Sequence, residues 1–312
     1  NQMPNNILKL YKSILISNFL DSARISWTES WNWDWYDDLS TLWLLATWSK
    51  DWWGSWVKTI LNKVLEWEFA DLNKIVLITN YTKGWVHEIF KEYDKKLKDK
   101  SINLEIEYVE DFPIRWENDK FSPKDEEWIK NKYNEIINSY WLDYLLCSWW
   151  MKQILWVMPY MSQNIHPGPT QEPYGWLKMH WSNVHKKVWE DYQAWIINQS
   201  CVTMHFVIPE LDRGPISVQI PVEIHDCNSA KEVWKKVNQM EHIYQYIVYK
   251  MILEWKISWS WVKWEDVKID FAEVNKYIFP DWTVWWGEID LQWWVSFKDK
   301  KEFYEPLASQ WC

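Results

Sequence analysis

Asn164-Ile165-His166-Pro167-Gly168-Pro169-Thr170 sets an amide and an imidazole at alternate positions of one short segment. In extended backbone, residues i and i+2 project to the same side, and the Pro-Gly-Pro run that follows forces a turn. A rigid corner with both groups on one face suits acyl transfer, which needs a hydrogen-bond donor and a proton carrier near one carbonyl. Further along, Thr203, His205, Phe206 and Val207 lead through Pro209-Glu210-Leu211 into Asp212-Arg213-Gly214-Pro215, which offers a carboxylate on a second turn. Each signal alone is weak, because an Asp in a turn is usually a turn former. Their order along one chain gives them weight.

A chain of 312 residues can bury a full core in one large domain or two small ones. Its formal net charge of −10 and pI near 5.3 weigh against a general binder of nucleic acid or anionic membrane. No run of about 18 apolar residues is present, so no membrane span is expected. The opening Asn-Gln-Met-Pro lacks the charged-then-apolar layout of a secretory signal, and a cytoplasmic protein is expected. Cys147, Cys201, Cys227 and Cys312 are scattered without CxxC spacing, which predicts reduced thiols and no zinc site.

One feature of the composition is abnormal. The chain has 32 Trp and 6 Gly, whereas glycine at its usual share of about 7% would supply roughly 22. The tryptophans fall where large aromatics are least welcome, as in Asp51-Trp52-Trp53-Gly54-Ser55-Trp56 and Ser258-Trp259-Ser260-Trp261. With most Trp read as Gly, residues 46–56 become a glycine-rich phosphate loop. The pattern fits a conceptual translation in which UGA, read as glycine by the host, is printed as tryptophan. The competing reading is a protein that is truly rich in Trp.

Along the chain, residues 42–48 read as a buried parallel strand running into a loop. Residues 57–67 have helical spacing, with Val57, Ile60, Leu61, Val64 and Leu65 on one face. Strands are predicted at 75–80, 102–109 and 142–148, and helices at 86–97 and 123–140. After the Pro-Gly-Pro turn the pattern predicts a helix over 183–197 and strands over 202–208 and 216–224. A long helix follows over 229–254, with Ser229 as its N-cap. Strand–helix alternation of this kind predicts an α/β fold, a Rossmann-like mostly parallel sheet with helices on both faces.

Asn164-Ile165-His166-Pro167 and the later Leu211-Asp212-x-Gly214-Pro215 resemble the phosphoribosylglycinamide formyltransferase family. The resemblance covers roughly residues 41–265, so 1–40 and 266–312 are expected to be extensions flanking one formyltransferase domain. It implies transfer of a formyl group from 10-formyltetrahydrofolate, a co-substrate, to the amine of glycinamide ribonucleotide in purine biosynthesis. Asn164, His166 and Asp212 match the family's catalytic residues. The amide would donate to the forming oxyanion, the imidazole, if protonated, would stabilise or protonate it, and the carboxylate would orient or charge-stabilise His166 and take the amine proton, directly or through water. No metal is required.

Gly54, Ser55 and Trp56, before the helix that starts at Val57, match the family's phosphate contact, where backbone N–H groups and a helix N-terminus meet an anion. As printed, Trp48, Trp52, Trp53 and Trp56 would crowd that anion out. Met151, Lys152 and Ile154 match the residues beside the folate pteridine, although plain core packing explains so apolar a motif nearly as well. Glu241-His242 resembles the family's Glu-His pair, whose Glu reaches the substrate ribose; an exposed helical carboxylate is the competing reading. His185 and His205 read as supporting or satisfied core groups and not as metal ligands. Tyr174-Gly175 lies in a segment longer than the shortest family members have. The implied partners are small molecules, with neither nucleic acid nor membrane among them, and assembly as a homodimer is left open. The rivals are a formyltransferase for another amine, an amino sugar or aminoacyl-tRNA, and a non-catalytic binding protein of the same fold.

Overall fold

A computed structural model describes residues 41–46, 54–66, 72–80, 84–109, 122–140, 144–148, 150, 154, 162–175, 179, 182–254, 256–259 and 267–269. Within these residues strand and helix alternate. β1 (Thr41–Ala46), α1 (Gly54–Glu66), β2 (Lys74–Thr79), α2 (Trp85–Lys98), β3 (Asn103–Tyr108), α3 (Pro123–Tyr140) and β4 (Tyr144–Ser148) come first. They are followed by β5 (Ser162–His166), α4 (Ser182–Gln193), β6 (Gln199–Phe206), β7 (Ile216–Glu223) and α5 (Ala230–Leu253). A two-residue ribbon, β8 (Ile257–Ser258) paired antiparallel to β9 (Lys268–Ile269), was not foreseen from the sequence pattern.

Seven strands form one sheet in the order β3-β2-β1-β4-β5-β6-β7. The first five pair in parallel, and β6 and β7 add antiparallel at one edge. The expected mostly parallel α/β sheet is therefore what the chain forms. Alternation along the strands sorts the core into two layers. Ile75, Leu77, Tyr144 and Leu146 pack with Val57, Ile60, Leu61 and Val64 of α1, with Ile89 and Tyr93 of α2 and with α4 and α5. Val76, Ile78, Leu145 and Cys147 face the other way, against Ile129, Tyr133 and Ile136 of α3.

Local chemistry fixes the helix ends. Pro123 opens α3 at a position where its missing N–H costs nothing, and the Ser122 hydroxyl accepts from Asp125 N at 3.2 Å. Ser229 caps α5 as expected, accepting from Glu232 N at 3.3 Å, while the Glu232 carboxylate accepts from Asn228 N at 2.7 Å.

α4 ends four residues earlier than the apolar spacing predicts. Trp195 N–H donates to Tyr192 O and Ile196 N–H to Asp191 O, and Trp195 takes φ 61°. This is the Schellman closure, whose left-handed position is usually glycine. Here it is a tryptophan with 67% of its surface exposed. A side chain in that backbone region costs roughly 1–2 kcal/mol, against a smaller entropic cost for glycine. Trp195→Gly is therefore expected to stabilise the fold by about 1 kcal/mol, read as a rise in the denaturant midpoint with an unchanged slope. Trp150 is the opposite case: it is buried and its indole N–H donates to the Tyr133 hydroxyl at 2.8 Å.

Candidate active site

β5 carries the deciding stretch next to the antiparallel edge, and its register does the first positioning. Cys147 of β4 pairs with Asn164, and across the antiparallel pair Asn164 lies opposite His205 and His166 opposite Thr203. Asn164 and His166 share a strand face, as their spacing predicts. Beyond His166 the chain turns at Gly168, where an added Cβ would lie 2.5 Å from Val184 Cγ1. Thr203 secures this corner by donating to Gly168 O at 2.6 Å.

The turn between β6 and β7 brings in the carboxylate. Gly214 passes so close to β6 that a Cβ there would sit 1.6 Å from Phe206 O, a contact only glycine allows. Asp212 takes φ 53°, a region that Asp tolerates better than most residues. Backbone held in a sparsely populated region by its surroundings is a mark of functional sites.

Three sequence-predicted residues meet here. Asp212 Oδ2 lies 3.5 Å from His166 Nδ1, and Asp212 Oδ1 lies 3.4 Å from Asn164 Nδ2 and 3.5 Å from His205 Nε2. Asn164 Nδ2 is also 3.2 Å from His205 Nε2. His205 Nδ1 faces Phe206 O at 2.9 Å, and its Nε2 faces both the Asn164 amide and Asp212 Oδ1. His205, read from the sequence as a supporting group, is thus a fourth member of the cluster. His166 Nε2 faces the Tyr174 carbonyl at 3.1 Å and must donate, which leaves the Nδ1 lone pair toward Asp212.

Charge is tuned by burial. Burial pulls the His166 imidazole below its ordinary value; the Asp212 carboxylate opposes this and His205 adds to it. Burial pushes Asp212 up, but His166, His205 and Arg213 outweigh it and hold the carboxyl below the ordinary range. The resting pair is a neutral imidazole beside a carboxylate. A neutral His166 accepts a proton before it can donate one. Among the described residues, no group of three or more His, Cys, Asp and Glu is placed to hold a metal ion.

The second cluster lies at the start of α1. His242 Nδ1 faces Asn238 O at 2.8 Å, so Nε2 accepts from the Ser55 hydroxyl at 2.9 Å. Trp56 is 1% exposed and stacks on the His242 ring with centroids 4.6 Å apart. Its indole is thus packed against α5. Residues 47–53, including Trp48, Trp52 and Trp53, lie outside the described residues. Glu241 is not the exposed carboxylate of the competing reading. It is 1% exposed, Oε1 has no hydrogen-bond partner among the described residues, and burial raises its pKa to about 8. Of the expected folate contacts, Met151 and Lys152 lie outside the described residues. Ile154 is buried against the α3 side of the sheet, as plain core packing requires.

No family model and no curated protein matches the sequence. Among solved structures, the chain is similar to glycinamide ribonucleotide transformylase 1 from Symbiobacterium toebii, with a TM-score of 0.52 and 15% identity over 78% of this chain and 99% of that one. It is similar to the same degree to a formyltetrahydrofolate deformylase from Pseudomonas syringae pv. tomato, with a TM-score of 0.51 and 15% identity over 75% of this chain and 67% of that one. The fold is the formyltransferase fold. At this identity the likeness speaks for architecture alone. What this formyltransferase fold does is argued from its own side chains.

Proposed function

We propose that this chain transfers a formyl group from 10-formyltetrahydrofolate to the amine of glycinamide ribonucleotide. The observation that carries the reading is the convergence of Asn164 and His166, on one segment, with Asp212, on another, at 3.4 and 3.5 Å. The amine nitrogen attacks the formyl carbon, and its proton passes to His166 Nδ1 or to Asp212. The bond from the formyl carbon to the folate nitrogen then breaks, and that nitrogen takes the proton back. The developing oxyanion is met by the Asn164 amide, which must release one of its resting contacts, and by the newly protonated imidazole.

Ser55 and the first turn of α1 would receive the substrate phosphate, with the Glu241 carboxyl on the ribose beside it. A buried carboxyl with an oxygen that has no partner among the described residues is suited to a hydroxyl ligand, which would satisfy it. Met151 and Lys152 remain the proposed folate contacts. The reading places the protein in cytoplasmic purine biosynthesis with small-molecule partners and leaves a homodimer open. The domain would span residues 41–265, flanked by extensions at 1–40 and 266–312. Glycine is proposed as the native residue at many Trp positions, supported by the left-handed backbone of Trp195. Peptide masses of protein from its native host, across residues 45–58 and around 195, decide this directly.

Equal likeness to a deformylase makes hydrolysis the second reading, with water in place of the amine. Release of tetrahydrofolate from 10-formyltetrahydrofolate separates the two. Dependence on glycinamide ribonucleotide is the expected result. Equal release without any amine would make the protein a hydrolase, and release only with an amino sugar or a charged tRNA would reassign the acceptor.

A further inference from the structure

The His166 ring has backbone hydrogen bonds to Tyr174 and Pro169, and the carbonyl in front of Nε2, at 3.1 Å, belongs to Tyr174. Tyr174 sits in a turn closed by its own N–H to Gln171 O at 2.8 Å. Gly175 backs that turn onto Thr170, whose carbonyl oxygen would lie 2.2 Å from a Cβ at 175. An ion pair from Arg213 to Glu172 at 2.8 Å also ties the turn to the Asp212 loop, but Glu172 is 73% exposed and such pairs hold little. The firm anchor is internal. The buried Tyr174 hydroxyl donates to Asp191 Oδ2 at 2.7 Å, and Lys187 Nζ meets Asp191 Oδ1 at 2.6 Å.

We propose that Asp191 and Tyr174 are positioning residues for His166: Asp191 on α4 fixes the Tyr174 hydroxyl, and through it the carbonyl that selects the Nε2–H tautomer. That choice leaves the Nδ1 lone pair toward Asp212, where the proposed reaction needs a base. With the carbonyl displaced, the proton gains by moving to Nδ1, where it would face the Asp212 carboxylate, and the base is lost. Lys187 balances the Asp191 charge, so the anchor does not leave an isolated ion in the core. Burial and the Asp191 carboxylate raise the Tyr174 pKa, which keeps the phenol a donor.

The inference rests on His166 being the reacting imidazole, and its deciding test, the tautomer, does not need substrate. Nitrogen NMR of imidazole-labelled protein at alkaline pH reads the tautomer directly, with the His166 signals assigned by their loss in His166→Ala. The wild type is expected to show Nε2–H. In Tyr174→Phe and Asp191→Asn the Nδ1–H tautomer should become a major form. The turnover number should then fall by about tenfold, as for other groups that orient a reacting imidazole, with KM unchanged. Both substitutions keep the shape of the buried side chain, so a folded sample of either one decides the question. Wild-type nitrogen shifts in a folded variant overturn the proposal even if formyl transfer is confirmed. A shifted tautomer in a protein without transferase activity leaves it standing and removes the functional reading instead.

Discussion

Asp212→Asn is expected to lower the turnover number for formyl transfer by about 10³-fold, within the usual contribution of general acid–base catalysis, and to leave KM within about twofold. Asparagine is the informative replacement, because it shares the tolerance of aspartate for the left-handed backbone that Asp212 adopts at φ 53°. Alanine would add backbone strain to the loss of charge and confuse the two. The substitution keeps the contacts with Asn164 and His205 geometrically feasible, but it removes the negative charge that opposes burial at His166. The imidazole then gains its proton less readily, and the carboxylate that would share the amine proton is gone. A turnover number within about threefold of wild type would remove Asp212 from the chemistry.

The second large effect is on stability against acid. His185 is 1% exposed, neither ring nitrogen has a hydrogen-bond partner among the described residues, and burial with His166 nearby lowers its pKa from 6.5 to about 3. Below pH 6.5 the unfolded chain takes a proton there that the folded chain refuses, so stability is lost as pH falls from 6.5 towards 3. By the lower end the loss is on the order of 4–5 kcal/mol from this group. His166, also lowered, acts in the same direction. Glu241 acts oppositely. With its pKa raised from 4.5 to about 8, its folded form holds a proton that the unfolded chain gives up, so stability declines as pH rises through that window.

The two groups oppose each other between pH 4.5 and 6.5, the overlap of their windows, so maximum stability is expected there. His185→Leu should abolish most of the acid arm, leaving stability to fall steadily as pH rises from 4.5 to 8. Denaturant unfolding at a series of pH values reads this out. An acid arm of unchanged depth in the leucine variant would contradict it.

Much of the fold is written locally. The six-residue apolar strands and the 3.6-residue spacing of α1, α2 and α3 mark a parallel α/β sheet without reference to distant contacts. Asn164, His166 and Asp212 are legible because strand alternation and turn chemistry are themselves local rules. What stays hidden depends on residues far apart in sequence. Tyr174 and Asp191 belong to a turn and a helix with no shared motif, yet they meet at 2.7 Å. The burial of Glu241 and the stacking of Trp56 on His242 both follow from α5 lying across the start of α1, which no spacing predicts. Ile154 reads equally as core or ligand contact, and only packing tells which. The early end of α4 needed backbone conformation, since the residue printed at 195 hides a glycine-like position.

The formyl carbon itself gives the most direct test. With 10-formyltetrahydrofolate labelled at that carbon with ¹³C and glycinamide ribonucleotide as acceptor, the account predicts that the signal moves to a formamide of the nucleotide. Asp212→Asn and His166→Ala should slow that transfer by about 10³-fold or more. Label appearing as formate, or transferring at the wild-type rate in both variants, would contradict it.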